Sequence, residues 1–142
     1  MKSLSFFVFL LILCSSKPIE PENHALLNGT FEGKSQSYYD SEGFWGQVKL
    51  RILKGKIVDV KFMIRDSALH EPFDANYEAH FVGNEEYTQQ SRNDWRGVQE
   101  YPKKLLKKQN IAKVDAVSGA TWSYNIFRSC VEKALKKTEN TK

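Results

Sequence analysis

Two stretches in the first half of the chain alternate apolar and polar residues, which is the pattern of a strand with one buried face. Residues 46–52 (GQVKLRI) and residues 56–64 (KIVDVKFMI) both show this alternation. Lys54 and Gly55 stand between them and favour a tight turn, so the two stretches are predicted to form an antiparallel hairpin. Residues 28–33 (NGTFEG) indicate a turn that leads into one more short strand.

The C-terminal part of the chain changes to a helical period. Apolar residues recur there at helical spacing, which predicts a helix that packs on the sheet. These residues are Phe127, Cys130, Val131, Ala134 and Leu135. Another helix is predicted to begin at Tyr101 and Pro102, because proline suits a first turn, and residues 85–87 (EEY) indicate the start of a short one. A small antiparallel sheet packed by helices on one face predicts an α+β fold.

The first residues of the chain have the pattern of an export signal. Lys2 is followed by an apolar run over residues 6–13 (FFVFLLIL), which is shorter than the roughly twenty residues that span a bilayer. Cys14 comes directly after this run, and residues 11–14 (LILC) resemble a bacterial lipobox, in which the cysteine is acylated, although leucine stands where a smaller residue is usual. Cleavage after Ser16 without a lipid is the alternative.

These patterns divide the chain into three regions. Residues 1–16 are predicted to be a signal peptide or lipoprotein signal. Residues 17–27 contain two prolines and two acidic residues and are predicted to be an extended tether. Residues 28–142 are predicted to form one domain, because 142 residues with 41% hydrophobic and 13% aromatic content suit a single modest core.

The charge of the chain argues against one class of partner. The formal net charge is only +4 and no nucleic-acid-binding motif accompanies it, so nucleic acid is not predicted as a partner. The densest basic run is predicted to be a solvated helix face, with a membrane or partner patch as the alternative. It consists of Lys103, Lys104, Lys107 and Lys108.

Residues 115–121 (DAVSGAT) place a hydroxyl group, that of Thr121, at the start of the predicted C-terminal helix. A helix N-terminus offers unpaired backbone N–H groups and the positive end of the dipole, which favour a phosphate. Gly119 and Ala120 are small enough for close approach of a ligand to the backbone. Ser118 can cap the helix or donate to the phosphate. The sequence therefore predicts a phosphate site, and a simple capped helix start is the alternative.

The same residues, read as Asp-x-x-Ser-Gly-Ala-Thr, resemble the flavinylation motif of the FMN-binding domain family. That family includes a periplasmic subunit of sodium-pumping NADH:quinone oxidoreductases and many small exported flavoproteins. In the family, a flavin transferase that uses FAD and magnesium joins the final threonine to the phosphate of FMN, and the matching residue here is Thr121. Asp115 is expected to hold the turn through its side chain or to engage the transferase.

The resemblance implies FMN as the cofactor and covers about residues 28–137. Residues 29–33 (GTFEG) and 55–57 (GKI) match the N-terminal pattern of the family. The residues expected to bind FMN are Asp115, Ser118, Gly119, Ala120, Thr121, Trp122 and Ser123.

The part of the site that holds the flavin ring is less clear in the sequence. Many family members carry a Glu-Thr-Pro-Gly loop after the second strand, but residues 70–73 (HEPF) lack its threonine and glycine. A flat, largely apolar ring is commonly held between aromatic or aliphatic side chains. Trp122 is the first candidate because it adjoins Thr121. Further candidates are Tyr87, Trp95, Phe44 and Trp45.

Other kinds of catalytic or metal site find little support. Ser118 lacks the Gly-x-Ser-x-Gly setting of a hydrolase, and the spacing of His24, His70 and His80 fits neither a metal site nor a triad. No catalytic or metal-binding residue is predicted. Cys130 is expected to be a small buried apolar residue, and no disulfide framework is implied.

The residues and the resemblance together favour an exported FMN carrier that transfers electrons rather than an enzyme that transforms a bound metabolite. Its expected location is the periplasm or outer cell envelope, with a lipid anchor at Cys14. Its expected partners are a flavin transferase, membrane redox proteins and the membrane itself. A noncovalent FMN-binding protein for storage or sensing, and a flavin-free envelope interaction module, are the alternatives.

Overall fold

The computed structural model describes residues 26–36 and 43–139. Within them lies one antiparallel sheet in the order β1-β2-β3-β4. Its strands are β1 (Gly29–Gln36), β2 (Phe44–Leu53), β3 (Lys56–Asp66) and the short β4 (Glu71–Pro72). The predicted hairpin is confirmed: Leu53 pairs with Lys56, and Lys54 and Gly55 have φ angles of 50° and 70°. Both are left-handed conformations, as a two-residue hairpin turn requires.

Two long helices follow the sheet. They are α1 (Glu85–Lys108) and α2 (Thr121–Glu139), and two short 3₁₀ segments, Ala75–Phe81 and Ile111–Lys113, precede them. Helix α2 was expected from the apolar period, and Phe127, Cys130, Val131 and Ala134 are indeed buried while Leu135 is half-buried. The sheet and these helices give the α+β fold that the sequence predicts.

The predicted start of a helix at Tyr101 and Pro102 is wrong. Helix α1 begins at Glu85, where the side chain of Asn84 accepts a hydrogen bond from the Tyr87 N–H at 3.2 Å, and Pro102 lies inside the helix. Residues 85–87, which indicate the start of a short helix, do begin α1, but the sequence did not show that this helix continues through Pro102, because the buried stripe of its first turns is not apolar. The buried residues of α1 are Ser91, Asp94, Gly97, Val98, Tyr101 and Leu105.

Both helices pack on one face of the sheet. Helix α2 crosses β1 and β2 so closely that a Cβ atom at Gly33 would collide with the carbonyl oxygen of Cys130. Only glycine allows two backbones to approach in this way. Cys130 itself is fully buried, and burial raises the pKa of its thiol to about 12, so it packs as a neutral, small apolar residue as predicted.

The signal region, Cys14 and most of the tether lie outside the described residues, so their assignments stay predictions. None of the helices in the described ranges is long and apolar enough to cross a bilayer.

Candidate functional site

Thr121 is the first residue of α2, and its side chain is exposed. The turn before it closes through a hydrogen bond of 2.9 Å from the Ala120 N–H to the Val117 carbonyl oxygen. Gly119 has a φ of 75°, which residues with a side chain rarely adopt. The turn therefore displays the Thr121 hydroxyl at the N-terminus of a helix, as the motif predicts.

The turn is held by side chains of α1. Gln90 donates through Nε2 to the Gly119 carbonyl oxygen at 2.9 Å and to Asp94 Oδ2 at 2.7 Å. Asp94 Oδ1 accepts hydrogen bonds from the Ser123 backbone N–H at 3.1 Å and from Ser123 Oγ at 2.9 Å. Ala120, directly before the helix, has no polar side chain. Asp94 therefore caps α2 from a different helix.

Asp94 is a buried carboxyl, with only 3% of its surface exposed. Burial raises its pKa, and the hydrogen bonds from Gln90 and Ser123 oppose that rise. The positive end of the α2 dipole lies against its charge, and no residue of the described ranges forms an ion pair with it. Asp94 engages the N–H of Ser123. The N–H groups of Thr121 and Trp122 have no hydrogen-bond partner within the described ranges, so they can receive a phosphate oxygen.

Two tyrosines and a lysine also hold the turn through hydrogen bonds. Tyr101 OH donates to the Ala120 carbonyl oxygen at 2.7 Å and accepts from the Val117 N–H at 3.2 Å. Tyr124 OH donates to the Val114 carbonyl oxygen at 2.6 Å. Lys104 Nζ donates to the Asp115 carbonyl oxygen at 3.1 Å. The turn is fixed at both ends by residues outside it.

Of the roles expected for Asp115 and Ser118, holding the turn and capping the helix are not seen in this arrangement, while engagement of the transferase by Asp115 and donation to the phosphate by Ser118 stay predictions. Both residues are exposed, and neither side chain makes a hydrogen bond to another residue of the described ranges. Gln90, Asp94 and Tyr101 hold the turn instead, and sequence reasoning missed all three. No signal in the sequence marked Gln90 and Asp94, because polar residues at helical spacing are also the normal pattern of an exposed helix face.

A pocket of about 580 Å³ adjoins the turn. Its apolar wall is aromatic and comes from β2, the segment between β4 and α1, and both helices. The aromatic lining residues are Phe44, Phe73, Tyr77, Phe81, Tyr87 and Trp122. Trp122 packs edge to face against Phe44 and Phe73, with ring centroids 5.2 and 5.1 Å apart. Because Trp122 follows Thr121 in the chain, the pocket begins one residue from the displayed hydroxyl.

Two polar atoms in this pocket are buried without a partner. Ser91 Oγ and Trp122 Nε1 make no hydrogen bond within the described ranges, and both residues line the pocket. An unsatisfied buried polar group costs about 1–3 kcal/mol. A small shift of either side chain would let the carbonyl oxygens and ring nitrogens along the edge of a flat ligand satisfy them. The pocket thus suits an aromatic ligand with a polar edge.

One wall of the pocket is held rigidly by a buried tyrosine and aspartate. Tyr77 OH donates to Asp66 Oδ2 at 2.6 Å, while Asp66 Oδ1 accepts from the backbone N–H groups of Ala68 and Leu69 at 2.7 and 3.1 Å. Burial works against the charge of Asp66, but the hydrogen bonds outweigh it and lower the pKa of this carboxyl. Burial, with the hydrogen bond to Asp66, raises the pKa of Tyr77 above its usual range. Tyr77 is a neutral, fixed ring.

The predicted ring contacts divide into two groups. Phe44, Tyr87 and Trp122 line the pocket, as expected. Trp95 instead donates through Nε1 to Glu78 Oε1 at 2.7 Å, and Trp45 lies under the ammonium group of Lys34, 5.5 Å from its ring centroid.

The segment after β3 contributes to the pocket through residues that the family pattern did not single out. Phe73 lines the pocket, while His80 and Glu71 pair at 2.7 Å between Nε2 and Oε2. Within the described ranges, no group of three histidine, cysteine, aspartate or glutamate side chains lies close enough to hold a metal ion.

An exposed hydroxyl at an open helix N-terminus, next to an aromatic pocket with unsatisfied polar atoms, defines a protein that binds a flat phosphorylated cofactor. The family model described as "FMN-binding domain" matches residues 43–136. The chain belongs to the FMN-binding domain family, and FMN is its cofactor.

A solved structure shares the fold. A crystal structure of the CPE2226 protein from Clostridium perfringens is 25% identical, with a TM-score of 0.59 over 82% of this chain and 92% of that one. A solution NMR structure of a protein from Clostridium thermocellum is 20% identical, with a TM-score of 0.47 over 81% and 94% of the two chains. Among curated proteins, none matches the chain.

Proposed function

We propose that this FMN-binding protein is an exported electron carrier whose FMN is joined to Thr121 by a phosphoester. The observation that carries the proposal is the position of the Thr121 hydroxyl. It is exposed at a helix N-terminus with two unpartnered N–H groups, directly beside the aromatic pocket. A phosphate at Thr121 and a ring in the pocket would together account for the open helix end and for both unsatisfied side chains.

The attachment is a group transfer without oxidation or reduction. The Thr121 Oγ–P bond forms as the pyrophosphate P–O bond of FAD breaks, and AMP leaves with the electron pair of that bond. The hydroxyl proton passes to a base of the flavin transferase. Asp94 is occupied by Gln90 and Ser123, so it is not available for this proton. The exposure of Thr121 allows the separate enzyme to reach it.

The surroundings of the pocket support the proposed role in electron transfer. Bound FMN supplies redox chemistry that amino-acid side chains lack. The residues of the pocket hold a ring and exclude water, and none of them is placed as a nucleophile for a second substrate. Val82, which follows the lining residue Phe81, is 84% exposed, and Tyr87 is 60% exposed. This apolar rim offers a contact surface to a redox partner. Export and a membrane location are supported by the sequence of residues 1–16 alone.

The test is expression of the full chain together with a flavin transferase, with Thr121→Val as the variant. Wild type is expected to gain the mass of one FMN and to keep flavin fluorescence in denaturing electrophoresis. Thr121→Val retains side-chain volume without the hydroxyl and is expected to lose both signals. Thr30→Val is the matched control, because it makes the same substitution at an exposed threonine of β1, away from the turn, and it should load fully.

The outcomes separate the alternatives. Flavin that is present in the native protein but is released on denaturation would support noncovalent binding. Protein without flavin in every preparation would support an interaction module. Covalent flavin in Thr121→Val would refute the proposed attachment site.

A further inference from the structure

The face of the sheet opposite the helices is strongly basic. Helix α2 packs against the face of the sheet that carries Gly33 and Gly46. Successive residues of a strand point to opposite faces, so the chain neighbours of these glycines and of the buried strand residues lie on the opposite face. The opposite face carries six cations and two carboxylates, Glu32 and Asp59. The cations are Lys34, Lys49, Arg51, Lys56, Lys61 and Arg65. This excess of positive charge equals the +4 net charge of the entire chain.

One pair of these charges opposes the stability of the fold, whereas Glu32 with Lys49 and Arg51 with Asp59 are cross-strand pairs of opposite charge. Lys49 and Lys61 are direct cross-strand partners in β2 and β3, and both are exposed. Like charges in this position destabilise a sheet. Glu32 Oε1 lies 3.4 Å from Lys49 Nζ, whereas no residue of the described ranges forms an ion pair with Lys61. The stability of the fold therefore does not explain why Lys49 and Lys61 are paired.

Apolar side chains are mixed with the cations on the same face. Met63 and Leu53 are exposed, and the Trp45 ring, with the Lys34 ammonium group above it, lies in the same layer. Tryptophan is enriched at membrane–water interfaces. Lysine and arginine can extend their charged ends to headgroups while their stems lie on apolar surface. No helix or strand of the described ranges covers this face.

We propose that this face of the sheet binds to an anionic membrane surface. The phosphate groups of anionic lipids complement its charge, and each basic residue near such a surface strengthens binding by roughly fivefold. A basic patch is a known second membrane-binding signal beside a lipid anchor. β1 begins at Gly29, directly after the predicted tether, so the face lies within reach of an N-terminal anchor.

This orientation has a consequence for the flavin site. Both helices, and with them Thr121 at the start of α2, lie on the other side of the sheet. A domain bound through its basic face would therefore hold Thr121 on the side of the sheet that is away from the lipid. The proposal does not depend on how FMN is bound, and it is tested without flavin.

The experiment measures binding of the purified chain from Lys17 onward, the form that cleavage after Ser16 would leave, to two kinds of vesicle. This form lacks both the apolar export signal and the predicted lipid anchor at Cys14. One kind of vesicle contains equal parts of phosphatidylglycerol and phosphatidylcholine, and the other contains phosphatidylcholine alone. The test variant is Lys49→Gln with Lys61→Gln. The control is Lys107→Gln with Lys108→Gln, which removes the same charge from the exposed last turn of α1.

The expected result is binding to anionic vesicles that weakens with salt and falls by roughly 25-fold in the Lys49→Gln, Lys61→Gln variant. The control should bind within about twofold of the parent chain. The thermal midpoint of the test variant should change little, because the unfavourable Lys49–Lys61 pair and the favourable exposed Glu32–Lys49 ion pair are lost together.

Three results would overturn the proposal. Equal losses in both variants would mean that binding follows total charge and not this face. Absence of a preference for anionic vesicles would remove the membrane as the occupant. A lower thermal midpoint in the test variant, with vesicle binding retained, would mean that the face covers another part of the chain.

Discussion

The attachment turn and the ring pocket are neighbours that are built in opposite ways. The turn is one continuous run, residues 115–121, whose small residues and hydroxyl follow one another in the chain. The pocket is assembled from β2, the segment before α1, α1 itself and the first residues of α2. A local motif can specify where a phosphate binds, whereas the shape around the ring exists only after folding.

Helix α1 connects the two regions. Gln90 and Asp94 line the pocket, and the same two side chains bind the attachment turn through Gly119 and Ser123. A change in either residue should therefore affect both regions. A change at Gly119 should affect mainly the turn, and a change at Ser91 mainly the pocket.

The largest effect is expected for Gly119→Val. The residue has a positive φ of 75°, and a Cβ atom there would lie 2.7 Å from Asn93 Nδ2. Backbone strain of this kind costs about 1–3 kcal/mol. A displaced turn should lower the rate of flavin incorporation by roughly 100-fold. The measurements are the flavin-to-protein ratio after reaction with the transferase and a thermal melt of the flavin-free protein.

A matched pair of variants separates the collision from the strain at this position. Gly119→Ala combined with Asn93→Ala removes the collision and keeps the positive φ, so its incorporation should fall between those of wild type and Gly119→Val. Full loading of Gly119→Val would show that the motif is only a helix start.

A smaller effect on both regions is expected for Asp94→Ala. It removes the cap of α2 and leaves Gln90 without one of its two acceptors, at a cost of about 1–3 kcal/mol in the free energy of unfolding. Flavin incorporation should fall by roughly tenfold. Asp94→Asn keeps an oxygen for Ser123 and should recover most of both losses. The measurements are chemical denaturation and kcat/KM for the transferase.

Asp115→Ala is the control for this prediction, because Asp115 is exposed and contributes to the turn through its backbone carbonyl. Its stability should equal that of wild type within about 0.5 kcal/mol. If Asp115→Ala instead lowered stability more than Asp94→Ala, the account of how the turn is held would be incorrect.

The smallest effect, with opposite signs in the two states, is expected for Ser91→Ala. Removal of an unsatisfied buried hydroxyl should stabilise the flavin-free protein by about 1 kcal/mol. The same change should loosen the ring, which can be measured as faster quenching of flavin fluorescence by iodide. Ser129→Ala is the control, since Ser129 Oγ already accepts a hydrogen bond from Ser35 Oγ at 2.9 Å. Destabilisation of flavin-free Ser91→Ala would argue that its hydroxyl is satisfied without a ligand.

The difference between the two regions explains how far the sequence could be interpreted. The hairpin, helix α2 and the position of Thr121 depend on residues close in the chain, and the sequence predicted all three. The pocket depends on Phe73 and Ser91, which are far apart in the chain and belong to no recognisable motif. Only Trp122 could be assigned to it with a physical reason, because it adjoins Thr121.

Helix α1 shows a second limit of sequence reasoning. Its buried stripe contains Ser91, Asp94 and Gly97, so an apolar period appears only near its C-terminal end. Because proline is common in the first turn of a helix, Pro102 looks in the sequence like the start of one. The polar residues that concealed the helix are those that hold the turn and face the pocket. The local pattern therefore failed at the functional site, where buried polar groups are needed.

The most direct test of the account is to locate the FMN by mass spectrometry of a tryptic digest of the loaded protein. Cleavage after Lys113 and Arg128 releases residues 114–128, which contain Ser118, Thr121 and Ser123. This peptide is expected to carry one FMN, with fragment ions that place the phosphoester on Thr121. FMN on either serine, or on any other peptide, would contradict it.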